Sequence, residues 1–298
     1  MRAPTHIRSF LFVPGDAPRK LEKSMQSGAD ALILDLEDAV APAAKAAARA
    51  TVADFMASAG ASAPPLWVRI NPLRGELALA DLCAVMRAAP AGIMLPKAEG
   101  AADIQQLGHY LDALEAQAGL PQGRTRVLAV ATETAASMFL AGTYRGACQR
   151  LFGLSWGAED LAASLHASSN RDPSGTLKPP YVLARTICLL GARAAGVLPV
   201  ETAAMNFRDT DAVFATATTA RQDGFFGMLA IHPDQVAPIN AAFTPTAPEC
   251  HHAQRVVACF AAQPEAGVVA LDGQMLDLPH LRQAEQLLAL AQHLAVPQ

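Results

Sequence analysis

Val127-Leu128-Ala129-Val130-Ala131-Thr132-Glu133-Thr134 is a short apolar run that stops abruptly at a carboxylate. Its apolar part is brief, continuous and rich in branched residues, as in a parallel strand covered on both faces rather than a half-exposed antiparallel one. Seven further runs have this character: residues 10–13, 31–34, 66–68, 92–95, 151–154, 196–200 and 227–231. Between them lie alanine-rich stretches with helical spacing, including 19–29, 43–59, 101–118 and 180–195. Eight alternations of strand and helix predict a (β/α)₈ TIM barrel over residues 1–237. A doubly wound open sheet is the rival architecture. It is disfavoured because the chain has neither a G-x-G-x-x-G fingerprint nor a G-x-x-x-x-G-K-[ST] phosphate loop.

After Pro238 the text changes. Pro245, Pro248 and Pro264 punctuate a segment with one helix at 249–262, and Asp272-Gly273 between apolar flanks signals a hairpin turn before a last helix reaching about Ala295. Residues 238–298 therefore read as a C-terminal helical and hairpin extension, suited to covering a barrel mouth or reaching a neighbouring subunit.

Composition narrows the function. A chain of 298 residues with 52% hydrophobic and 17% charged residues can bury a barrel-sized core. No apolar stretch reaches the roughly 20 residues of a spanning helix, and the run at 10–13 is too short for a secretion signal, so no membrane partner and a cytoplasmic location are expected. A formal net charge of −4 provides no general attraction to nucleic acid. Cys83, Cys148, Cys188, Cys250 and Cys259 contain no C-x-x-C pair and read as reduced thiols.

A parallel barrel brings all its strand ends to one face. The residues collected there are Pro14-Gly15-Asp16, Asp35-Leu36-Glu37-Asp38, Arg69-Ile70-Asn71, Lys97, Glu133, Glu159-Asp160, Glu201 and His232. So many acids at one mouth need a cation or protons to neutralise them. Glu133 and Asp160, on neighbouring strands, form a hard ligand pair suited to Mg²⁺, which accepts one or two carboxylates and keeps other positions for water and substrate. Capping the next helix or pairing with a surface base is the plain alternative for either acid. Asp35, Glu37 and Asp38 are placed to hydrogen-bond waters around such an ion. Arg69 offers a planar fork for a substrate carboxylate, or a structural ion pair with Asp35 or Glu37, and Lys97 carries the same ambiguity. Pro14 and Gly15, followed by Arg19 and Lys20, suit an anionic group, although a solvated helix start accounts for the same residues.

Taken together, Arg8-Ser9-Phe10-Leu11-Phe12-Val13-Pro14-Gly15, Leu34-Asp35-Leu36-Glu37-Asp38-Ala39-Val40, Val68-Arg69-Ile70-Asn71, Leu95-Pro96-Lys97, Glu133-Thr134, Gly157-Ala158-Glu159-Asp160-Leu161 and Ile231-His232-Pro233 resemble the citrate lyase β-subunit-like branch of the HpcH/HpaI aldolase superfamily, which includes malyl-CoA and citramalyl-CoA lyases. The resemblance implies a modified barrel, usually trimeric, with Mg²⁺ at Glu133 and Asp160 and a 2-oxo acid carboxylate on Arg69. It also implies a CoA phosphate near Arg19 and Lys20, and a catalytic acid, here Asp277, donated by a neighbouring subunit. Asp277 equally suits the N-cap of the last helix. The implied activity is reversible cleavage of a 3-hydroxyacyl-CoA thioester, such as citramalyl-, malyl- or citryl-CoA, into acetyl-CoA and a 2-oxo acid. A pyruvate-type aldolase and a CoA- or carrier-binding subunit active only in a larger lyase complex are the alternatives. Where relatives often read Ile-Asp-x-Val-Tyr, this chain reads Val200-Glu201-Thr202-Ala203-Ala204, and Asn206 replaces a common acid, so Glu201 and the loop 166–178 bear on the acyl pocket.

Overall fold

The computed structural model describes residues 6–295. Within these, the chain divides into two compact units, Ile7–Asn240 and residues 241–295 with His6.

The first unit is a closed barrel of eight parallel strands in sequential order. The strands are β1 (Ser9–Pro14), β2 (Ala31–Asp35), β3 (Leu66–Arg69), β4 (Gly92–Leu95), β5 (Arg126–Val130), β6 (Leu151–Ser155), β7 (Leu198–Glu201) and β8 (Gly227–Ala230). The helices between and after them are α1 (Pro18–Ser24), α2 (Lys45–Ser58), α3 (Ala78–Val85), α4 (Ala101–Ala118), α5 (Ala135–Met138), α6 (Ala158–Ser164), α7 (Pro179–Ala195), α8 (Thr210–Asp223) and α9 (Val236–Ala242). The apolar runs thus become the strands. Among the boundaries that differ, the helix read as 19–29 stops at Ser24 with Met25 as its right-handed cap and Gly28 at φ 74° in the turn beyond, whereas Gly196 at φ 71° caps α7 instead of opening β7.

Alternation along the strands sends Phe10, Ile33, Trp67, Met94, Leu128, Val130, Val200 and Leu229 into one buried cluster inside the barrel. Trp67 fills much of that space, meeting Phe10 edge-on at 5.9 Å and Phe152 at 5.2 Å between ring centroids. Gly92 makes room for it, since a β-carbon there would lie 2.2 Å from the indole ring. The barrel interior is therefore filled, and the strand-end polar residues stand above its apolar cluster.

In the second unit α10 (Ala247–Ala262) and α11 (Leu278–Ala295) pack with the hairpin of β9 (Val268–Leu271) and β10 (Gln274–Asp277). Val256, Phe260, Val269, Leu276 and Ala284 form its core. The turn Asp272-Gly273 has φ values of 51° and 78°, the left-handed pair that a two-residue hairpin turn requires.

Candidate active site

At the carboxyl ends of β2 and β3, Asp35 and Arg69 are paired in register, with both side chains above the interior cluster. Arg69 donates Nε to Asp35 Oδ1 at 2.7 Å and Nη2 to Oδ2 at 2.6 Å, a bidentate pair. Asp35 also accepts the backbone N–H groups of Glu37 and Ala39, at 2.8 and 3.1 Å. Its oxygens are thus engaged in fixing Arg69 and the following turn rather than in facing water, which differs from the water-orienting role read for Asp35. Arg69 Nη1 lies 2.9 Å from Glu37 Oε2 without hydrogen-bond alignment, and the guanidinium stacks over Phe12 at 4.7 Å. Burial acts to lower the Arg69 pKa, but Asp35 and Glu37 outweigh it and hold the cation firmly charged.

Lys97 follows β4 in a left-handed conformation, φ 51°, which costs a non-glycine residue roughly 1–2 kcal/mol. That conformation is matched by three contacts. Its backbone N–H donates to Glu133 Oε2 at 2.6 Å, while Nζ donates to Glu37 Oε1 at 2.5 Å and lies 3.1 Å from Asp160 Oδ1. Asp38 is exposed, 3.6 Å from the same ammonium. Burial opposes the Lys97 charge, but Glu37 first, then Asp160 and Glu133, raise its pKa above the ordinary lysine value.

Glu133 follows β5 and is buried. Its carboxyl pKa is pushed up to about 8, first by burial and then by the charge of Asp160, with the Lys97 N–H working against the rise. Gly157, just after β6, lets Glu133 lie here: a β-carbon at 157 would stand 2.8 Å from Glu133 Oε1 and 2.9 Å from Cγ. Asp160 sits in the first turn of α6, partly exposed. The structure therefore brings Glu133, Asp160, Lys97, Glu37, Asp38, Arg69 and Asp35 to one rim.

Among the described residues no group of three or more His, Cys, Asp or Glu side chains surrounds a common metal position. Glu133 and Asp160 remain a two-carboxylate set, the kind Mg²⁺ accepts while retaining waters. Glu37 is already met by Lys97 and Arg69, but Glu133, buried beside a second acid and receiving only the Lys97 N–H, calls for further positive charge. The donor chemistry fits a hard divalent cation.

Other residues fall elsewhere. Gly15 donates its N–H to the Asp35 carbonyl at 2.9 Å, so that amide is already used, and a β-carbon there would meet the same oxygen at 2.7 Å. Pro14 ends β1, and Arg19 and Lys20 are exposed on α1. Glu201, read as a mouth acid, is instead a buried partner of α7. Val200 takes the interior position, and Glu201 receives Trp156 Nε1 at 2.5 Å, Arg185 Nε at 2.6 Å and the Thr202 N–H at 2.9 Å. His232 stacks on Phe207 with centroids 4.4 Å apart and caps the turn after β8. In the second unit, Asp277 immediately precedes α11, and its Oδ1 lies 2.5 Å from His280 Nδ1.

Two site-building residues, Lys45 and Asp81, escaped the sequence reading, and Asn71, collected as a strand-end residue, takes a bracing role there. Lys45 Nζ donates to the carbonyls of Leu36 and Glu37 and to Asn71 Oδ1, at 2.8, 2.7 and 2.8 Å. Asn71 in turn bonds the buried Asp81, so the Asp35 to Asp38 turn is braced from below. A cavity of about 600 Å³ opens beside Trp156, Glu159 and Glu201 under the loop of residues 171–177. Another hollow, about 630 Å³, lies between α1 and α2 and contains none of the strand-end residues.

No helix among the described residues is long and apolar enough to cross a membrane. Residues 8–233 match the family described as HpcH/HpaI aldolase/citrate lyase. The chain is 33% identical over 286 residues to the citrate lyase subunit beta of Leuconostoc mesenteroides subsp. cremoris, covering 95% of this chain and 93% of that one. It is 30% identical over 299 residues to the mitochondrial citramalyl-CoA lyase of Rattus norvegicus, covering 95% and 86%. The Mycobacterium tuberculosis CitE structure in complex with magnesium, acetoacetate and coenzyme A superposes with a TM-score of 0.80 at 33% identity, over 96% of this chain and 98% of that one. With the family matched across the barrel and the relatives aligned over nearly the whole chain, this protein belongs to the HpcH/HpaI aldolase/citrate lyase family.

Proposed function

We propose that this protein is a Mg²⁺-dependent carbon–carbon lyase that reversibly cleaves a 3-hydroxyacyl-CoA thioester, of the citramalyl-, malyl- or citryl-CoA type, into acetyl-CoA and a 2-oxo acid. The observation that carries the reading is the meeting of Glu133 and Asp160 at one rim beside Arg69 and Lys97, with Glu133 buried next to a second acid, so that burial first and the Asp160 charge second raise its pKa. Glu133 and Asp160 would hold the ion, which supplies Lewis-acid stabilisation to the oxygen that becomes the ketone. Arg69, held by Asp35, keeps N–H groups on its remaining edge for the substrate carboxylate, because a guanidinium has five donors and Asp35 takes two. Lys97 keeps a fixed positive charge between Glu37 and Asp160.

In cleavage the hydroxyl proton is removed, the bond between the carbinol carbon and the acetyl carbon breaks, and its electron pair moves onto the thioester as an enolate. Asp277, contributed by a neighbouring subunit of a homotrimer, then gives a proton to that carbon; in condensation it removes one. Arg19 and Lys20 meet a CoA phosphate from the exposed face of α1. M. tuberculosis CitE, with its bound magnesium, acetoacetate and coenzyme A, supports the choice of ligands.

The test is the purified protein alone against citramalyl-, malyl- and citryl-CoA, with Mg²⁺ or with chelator. Cleavage that needs Mg²⁺ and vanishes in folded Glu133→Ala supports the reading. Turnover by metal-free Glu133→Ala defeats the metal assignment, and silence on every thioester until a partner protein is added defeats the stand-alone enzyme.

A further inference from the structure

We propose that the cavity beside β6 and β7 receives the side chain of the 2-oxo acid, and that it selects linear apolar side chains of several carbons. This deepens, and rests on, the lyase reading above. The cavity, about 600 Å³, is within the range of small-molecule sites. It joins the acid cluster through consecutive residues: Ala158 and Glu159 line it, and Asp160 follows directly. Ala203 both lines it and packs against the interior cluster, so one wall of the cavity adjoins the barrel interior while the others are formed by α7, α8 and the loop of residues 171–177. A 2-oxo acid held at Asp160 and Arg69 therefore has room on this side for whatever its carbonyl carbon carries.

The wall chemistry specifies what that is. Glu201 is already matched by Arg185 and Trp156, and Glu159 accepts Asn170 Nδ2 at 2.6 Å. Arg171 is exposed and turns its Nη1 to the Gly175 carbonyl at 2.6 Å. The charges being engaged, Ala158, Leu177, Ala203, Ala204, Ala212 and Val213 leave a surface of small and aliphatic groups. The overlying loop is braced by its own bonds. Asp172 Oδ1 accepts the N–H groups of Ser174 and Thr176 at 2.9 and 3.0 Å, and the Lys178 N–H reaches the Asn170 carbonyl at 2.9 Å. A preformed wall costs little ordering on binding.

The experiment follows condensation of acetyl-CoA with a series of 2-oxo acids from pyruvate upward, together with calorimetric titration of the same acids in Mg²⁺ without CoA. Burial of each added methylene predicts a rise of about fourfold in kcat/KM and in affinity until the cavity is filled. Ala203→Leu, and Ala212→Phe on the exposed side of α8, should each lower the ratio of long-chain to pyruvate kcat/KM at least tenfold. Ala212→Phe alone decides if Ala203→Leu does not fold. A flat or falling chain-length series, or the same gain appearing on the acyl-CoA partner instead, overturns the proposal. If no condensation occurs with any acid while calorimetry still shows the rise and its loss in the variants, the lyase reading fails and the pocket stands.

Discussion

Replacing Glu133 by glutamine should remove a specific pH dependence from the stability of the protein in chelator. Glu133 is buried, and its pKa stands at about 8 against 4.5 for a free glutamate. The native state therefore keeps a proton that the unfolded chain gives up. Its stabilising contribution is complete below about pH 4.5 and is lost progressively as pH rises through about 8. At 1.36 kcal/mol per pKa unit, the wild type should lose roughly 3 kcal/mol from this group between about pH 6 and about pH 9. Glutamine keeps an oxygen for the Lys97 N–H and has no proton to lose. Paired urea or thermal melts across this range should show the two proteins converging at low pH and separating by roughly 5 °C at high pH, glutamine the more stable. Burial also raises Glu37, which is present in both proteins, so the difference between the curves reports Glu133 and its interaction with Glu37. Curves that stay parallel would refute the reasoning. Added Mg²⁺ should stabilise only the wild type appreciably, and its affinity should climb about tenfold per pH unit up to about pH 8, because binding must displace the proton.

Gly157→Ala should weaken Mg²⁺ binding at least tenfold in a titration while leaving the fold intact. Residue 157 has φ −137°, which alanine accepts, so the effect comes from the new methyl displacing Glu133. Arg69→Lys should lose about 2–4 kcal/mol in denaturant melts as well as 2-oxo acid affinity, because Asp35 is buried and built for a two-pronged partner. Arg150→Met should cost about 3–5 kcal/mol with no change in the site, since buried Glu115, which now receives Arg150 Nη1 and Nη2 at 2.8 and 2.6 Å, loses its cation and keeps only the Gly123 and Thr125 N–H groups. Retained stability in that variant would show that those two N–H groups satisfy Glu115 by themselves.

Much of this was legible in the residues. Short continuous apolar runs marked the strands because every one is covered on both faces, and the helix read as 101–118 is α4 to the residue, opening after Gly100 at φ 81° and closing at Gly119 at φ 67°. The convergence of Arg69, Lys97, Glu133 and Asp160 followed from strand ends sharing a rim. Glu201 was misplaced because collecting every strand-end acid ignored alternation: with Val200 inside, Glu201 must face the helices, and parity alone reveals it. Lys45 and Asp81 left no local signal, and Asn71 and Gly157 stood in motifs that gave no sign of what they brace or admit. Their roles depend on distances between segments far apart in the chain, which no periodicity encodes.

Lys97 carries a last consequence. Its backbone grips one carboxylate while its ammonium occupies the space between two others, so the basin is already populated by a tethered monovalent charge. If a divalent ion loads beside Asp160 as proposed, the lysine head would have to give up that carboxylate and keep Glu37 and Asp38 alone, an exchange of partners rather than a simple addition of charge. Lys97→Met would separate the two duties, sparing the amide clasp on Glu133 while emptying the seat, and the ion would enter without a competitor.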